Sequence, residues 1–195
     1  MPDLSFITPP PRPELLRELR HTLLDAQPEL RIVAQGLLGA QTPIDFVGIE
    51  ASGRLVLVLV ADDDRDLELL ARGLAQRAWV EPRVSDWLQL APDLGVRPRA
   101  GIRLLLLAPR FRPETEAAAQ ALASEAPELW GYRCLRNGSG IAVLIEPPAT
   151  APPPARPGSE TRPPTVQAAG RSGGFRTGLS EADLGLTSAE RREFE

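Results

Sequence analysis

Leu15, Leu16, Leu19 and Leu23 recur at three- and four-residue spacing behind Pro13, a pattern that predicts a helix beginning near residue 13. Glu14 precedes Arg17, Arg20 and His21, the charge order a helix dipole favours, and Gln27–Pro28 ends the run. A strand is expected over about 30–38, with 39–43 as a loop. Ile44–Ile49 and Arg54–Val60 are β-rich runs joined through Glu50, Ala51, Ser52 and Gly53, which reads as a hairpin. From Leu55 to Ala61 every residue is apolar, so both faces of that strand must be covered and it must lie centrally in a sheet.

Asp62, Asp63 and Asp64 lead into a stretch where Leu67, Leu70, Leu74 and Ala78 keep helical spacing, with Asp66 and Glu68 in its first turn. The acids are expected to cap this helix and to complement its dipole. A tryptophan-bearing helical stretch spans about 79–92, and Ile102–Leu107 reads as a second apolar strand. Pro113, Glu114 and Glu116 open an alanine-rich helix. Strands at about 129–135 and 141–146 are joined by Asn137-Gly138-Ser139-Gly140, where Asn-Gly is a hairpin signal. The elements form an α/β fold with a mixed central sheet flanked by helices.

Composition divides the rest of the chain. Between Pro147 and Pro164, eight of eighteen residues are proline, which cannot build a core, so a disordered Pro-rich linker is expected. Beyond it Phe175, Leu179, Leu184, Leu186 and Phe194 restore apolar character, with helix-start signatures at Ser180/Asp183 and Thr187/Glu190. Helices this short order only against something else. The expected division is a leader at 1–12, an α/β domain at 13–146, a Pro/Gly-rich linker at 147–174 and a docking segment at 175–195.

Charge and rare residues exclude several chemistries. All 22 basic residues are Arg, which removes Schiff-base lysines, P-loop lysines and lysine general bases. His21 is the only histidine, so a multi-histidine metal site is impossible; its expected place is near a helix C-terminus. Cys134 is the only cysteine, read as a small buried residue. No run is long and apolar enough to cross a bilayer and the first residues lack signal-peptide character, so a cytoplasmic location and no membrane partner are expected. Residues 45–93 carry ten acids against five Arg, whereas 97–136 carry seven Arg against four acids. Arg97, Arg99, Arg110, Arg112, Arg133 and Arg136 are therefore the candidates for contact with nucleic acid. Trp79, Trp87 and Trp130 read as core aromatics, base stacking being the alternative.

Pro43-Ile44-Asp45, followed by Gly53, Arg54 and the apolar strand, resembles the restriction-endonuclease-like PD-(D/E)XK superfamily, and within it mismatch-type and RecB-like endonuclease domains. The likeness covers roughly residues 13–146. It implies a metal-binding Asp on one strand and a Glu and a Lys two residues apart on the next, which hold Mg²⁺ and position the nucleophile. Matched to this chain, the Asp is Asp45, whereas Leu59 and Ala61 stand at the Glu and Lys positions. The expectation is a catalytically inactive nuclease-like domain with no cofactor, serving as a protein-interaction or assembly module through residues 175–195. Nucleic-acid binding without cleavage is the first alternative. A Mg²⁺-dependent endonuclease with a displaced site of Asp45, Glu50, Asp62 and Asp64 is the second. Partner identity and oligomeric state are not specified by the sequence.

Overall fold

A computed structural model describes residues 4–123, 126–138 and 140–148. The segment 175–195, with Phe175, Leu179, Leu184, Leu186 and Phe194, lies outside the described residues, as does the linker from residue 149.

The apolar run becomes β4 (Leu55–Val60), all six residues buried. It lies between β3 (Pro43–Glu50), to which it is antiparallel, and β5 (Ile102–Ala108), to which it is parallel. β2 (Leu30–Leu38) pairs with the far edge of β3, with a register shift between Ile32 and Ala34. β6 (Glu128–Asn137) continues the sheet in parallel beyond β5, and β7 (Gly140–Glu146) returns along the opposite edge of β6. The fold is thus a mixed sheet with helices on its two faces, as the pattern predicts.

α1 (Arg12–Ala26) buries Leu15, Leu19 and Leu23 against Val56, Val58, Leu105 and Tyr132 on one face. α2 (Asp66–Val80), α3 (Val84–Leu90) and α4 (Pro113–Gln120) lie on the other face of the sheet, and Leu69, Leu70, Val80, Val84 and Ala119 join Leu57, Leu59, Leu104 and Leu106 in a second core. Trp79 and Trp87 pack against that second core and Trp130 lies within the first, as core aromatics should. Cys134 is buried, and burial pushes its thiol up. None of the helices among the described residues is long and apolar enough to cross a membrane.

Four details differ from the sequence reading or add to it. Residues assigned to a leader contain β1 (Leu4–Ile7), which pairs antiparallel with Asn137–Cys134 of β6. α1 starts at Arg12, within one residue of the expected start, but His21 lies short of its last turn, which holds no basic residue. The third difference concerns the acids before α2: Asp63 accepts a bond from the Arg65 amide at 3.1 Å, but no side chain caps the helix itself. Finally, Gln76 is buried inside α2, where its carbonyl accepts from the Ala40 amide at 3.0 Å and its amide donates to Thr42 at 2.7 and 3.0 Å. This polar anchor fixes the loop after β2, and a side chain at Gly39 would collide with it.

Candidate functional site

The antiparallel register of β3 with β4 ends at the Phe46–Val58 pair, and Asp45 is the next residue of β3 beyond it. The strands no longer exchange a backbone ladder there. Instead the buried Asp45 carboxylate accepts the Val60 amide at 2.8 Å and the Arg12 guanidinium at 2.6 Å. Arg12 comes from the first turn of α1, between Pro11 and Pro13, and also donates to the Val60 carbonyl at 3.2 Å. Burial raises the Asp45 carboxyl above its ordinary value, and the Val60 amide and Arg12 offset only part of that rise. Leu59 is fully buried and Ala61 nearly so, both inside the apolar core under α2.

The displaced-site residues do not assemble. Asp62 lies 3.9 Å from the guanidinium of Arg12, the partner of Asp45, and lines the same crevice. Asp64 is exposed and does not line that crevice. Glu50 is five residues along β3 from Asp45, about 16 Å at the rise of an extended strand. There it pairs with Arg103 at 2.9 Å, and Arg103 also holds Glu128 through two bonds of 2.6 Å and Gln27 at 3.0 Å. Although burial alone raises Glu128, bonds from Arg103 and Trp130 bring it below its ordinary range. Among the described residues no three His, Cys, Asp or Glu side chains gather in a way that could hold a metal ion. The crevice lined by Arg12, Val60, Asp62, Arg65 and Arg72 has a volume of about 30 Å³, room for roughly one water molecule.

Asp66 stands in the first turn of α2, where a carboxylate complements the helix dipole, and here it does more. It is buried and accepts the Arg112 amide at 2.7 Å and the Arg112 guanidinium at 2.8 Å, clamping the chain between β5 and α4 onto the start of α2. Burial raises Asp66, but these bonds outweigh it and hold the carboxyl below its ordinary value.

The six candidate arginines are not one patch. Arg97 and Arg99 precede β5, and Arg97 packs against Gly53 of the β3–β4 turn. Arg110 and Arg112 follow β5, so that strand of seven residues, about 20 Å long, separates the two pairs. Arg112 is committed to Asp66, and Arg133 pairs with Glu146 at 3.0 Å. A cleft of about 600 Å³ does bring Arg110 and Arg133 together. It opens where β5 ends opposite Gly131 and β1 ends opposite Cys134 on the same edge of β6, leaving Tyr132 and Arg133 without a register partner on that edge. Phe6, Phe111, Glu116 and Glu146 line it as well. Arg136 borders an adjoining recess formed by Pro9, Pro10 and Pro11. The cleft escapes sequence reading because it is a gap between two strands about 100 residues apart in the chain.

No protein-family profile and no curated protein matches the chain. Among solved structures it is similar to an EndoMS–dsDNA complex, with 12% identity and a TM-score of 0.39 over 60% of this chain and 42% of that one. It is also similar to a repair endonuclease from Pyrococcus abyssi, with 12% identity and a TM-score of 0.40 over 60% of this chain and 46% of that one. The chain thus spans less than half the length of either protein.

Proposed function

We infer that this chain is a nuclease-like domain that does not cleave and that serves as an interaction or assembly module. One observation carries the reading: the carboxylate at the family's Asp position is consumed in holding β4 and α1 together, and the strand facing it is buried and apolar throughout. Metal-dependent phosphodiester hydrolysis needs carboxylates that present free oxygens to an ion and a phosphate. Asp45 presents its oxygens to Val60 and Arg12, and Leu59 and Ala61 offer none.

The interaction role draws support from two places. On the face of β1, β6 and β7 that points away from α1, Phe6 is 67% exposed and Leu144 49% exposed, with Arg133 stacked 5.7 Å from the Phe6 ring. Exposed aromatics beside Arg are frequent binding anchors. The second support is the sequence of residues 175–195, where apolar positions return after the proline-rich stretch. A tethered segment of this kind raises the effective concentration of whatever it binds. Affinity capture with the full chain and with a chain lacking residues 175–195 tests the idea. Truncation is expected to abolish capture of partners and to leave the melting temperature nearly unchanged; capture that survives truncation rules out this use of the segment.

A second reading, nucleic-acid binding without cleavage, is favoured by Arg110 and Arg133 meeting Phe6 and Phe111 in one cleft. Glu116 and Glu146 in the same cleft balance that charge. Fluorescence anisotropy with single- and double-stranded DNA between low and moderate salt discriminates: this reading requires affinity that falls steeply with salt and weakens in Arg110→Ala. Absence of binding at low salt eliminates it.

A further inference from the structure

The Arg12 guanidinium lies among three oxygens from different parts of the chain. Asp45 Oδ1 is 2.6 Å and the Val60 carbonyl 3.2 Å from one amino nitrogen, and Asp62 Oδ2 is 3.9 Å from the other. Two carboxylates and a carbonyl are hard oxygen donors, the set that ordinarily attracts Mg²⁺, Mn²⁺ or Ca²⁺. Here a protein cation already stands among them. The Mg²⁺ implied by the nuclease resemblance does not fit: the Asp45 oxygens are taken by the Arg12 guanidinium and the Val60 amide, the Val60 carbonyl accepts from Arg12, and a permanent positive charge stands among the donors. Arg72 lines the adjoining crevice, its Nε buried without a hydrogen-bond partner, and adds further positive charge near Asp45.

We propose that Arg12 is the resident cation of this site, a guanidinium in place of a divalent metal ion. It neutralises Asp45, draws the Val60 carbonyl and Asp62 toward the same point, and keeps divalent ions out. A guanidinium suits the task because it is permanently charged and its planar fork presents donors to several oxygens at once. Pro11 and Pro13 set the backbone on either side of Arg12, so the side chain is delivered from a fixed helix start. The proposal rests on the non-cleaving reading for the roles of Leu59 and Ala61, but it makes a separate claim about which cation the site holds.

The test uses the full chain as wild type, Arg12→Ala and the double variant Arg12→Ala/Asp45→Asn, titrated with Mn²⁺ by electron paramagnetic resonance and melted with and without Mn²⁺. The wild type is expected to bind no Mn²⁺ through Asp45. Arg12→Ala should melt lower, bind one Mn²⁺ per chain at least tenfold more tightly than the wild type, and regain melting temperature with Mn²⁺ or with millimolar guanidinium. The double variant should do neither. Should Arg12→Ala not fold, Arg12→Gln and Arg12→Lys replace it: the neutral variant should take Mn²⁺ and the charged one exclude it. Asp45-dependent Mn²⁺ binding by the wild type, or folded charge-removing variants that gain no Mn²⁺ affinity, overturns the proposal. Cleavage of DNA by the wild type would instead overturn the functional reading, so the two failures are separable.

Discussion

Replacing Asp45 by Ala removes one carboxylate that holds three elements, and the consequence for stability follows from its contacts. The lost bonds are one to the buried Val60 amide and one to Arg12. Hydrogen bonds to charged groups contribute roughly 1.5–3 kcal/mol each. Two effects reduce the sum. Arg12 is 34% exposed and regains water when its partner goes. Burial also disfavours the Asp45 charge and raises its carboxyl, so deletion relieves that cost. The net loss is about 2–3 kcal/mol, or a fall of about 5–10 °C in melting temperature for a domain of this size. Asp45→Asn keeps an acceptor for the Val60 amide and should lose roughly 1 kcal/mol. Urea unfolding followed by tryptophan fluorescence measures both. A carboxylate retained for catalysis is commonly held at some expense to stability, so its removal leaves stability unchanged or higher. An Asp45→Ala chain as stable as the wild type would refute the structural role argued for this residue.

Three further outcomes are expected. Asp66 is held below its ordinary value of 3.8, so its contribution is complete above that value and is lost as pH falls through the lower folded value. Glu128 acts in the same direction and Asp45 in the opposite one. In Asp66→Asn, unfolding free energy at neutral pH should therefore drop, and its decline on acidification from about pH 5 to 3 should be shallower than in the wild type; an unchanged slope counts against the Asp66–Arg112 clamp. Gln76→Leu leaves the Ala40 amide and the Thr42 carbonyl without their partner, at a cost of about 1–2 kcal/mol by chemical denaturation. Leu59→Glu, which restores a carboxylate at the family position, should destabilise the fold by about 3 kcal/mol or more, because the residue is fully buried among apolar side chains. A Leu59→Glu chain that melts like the wild type would mean the position is more open than its burial indicates.

The parts of the fold visible in the sequence are those set by local chemistry. An uninterrupted apolar run can only be a covered strand, and β4 is one. The hairpin turns follow from Gly53 and Gly138, both at positive φ, where glycine carries no steric penalty. What stayed hidden depends on partners distant in the chain. β1 is four residues of modest β character, and its pairing with β6 spans more than 120 residues. The partner of Asp45 is Arg12, 33 positions away, and that of Asp66 is Arg112, 46 positions away. No periodicity marks an ion pair of that kind. The acids before α2 show the same limit: their position near a helix start suggests capping, while the structure commits Asp66 to the segment after β5 and Asp62 to the neighbourhood of Arg12. The absence of a carboxylate or a lysine on β4, by contrast, is a property of composition and needs no partner to be seen.

Single-turnover incubation of excess protein with mismatched, branched, single-stranded and intact duplex DNA, in Mg²⁺ and in Mn²⁺, tests the central claim most directly when the wild type is run beside Asp45→Ala. With Asp45 committed to Arg12 and Val60 and no carboxylate on β4, both proteins should leave every substrate intact. Cleavage by the wild type that disappears in Asp45→Ala would contradict the account.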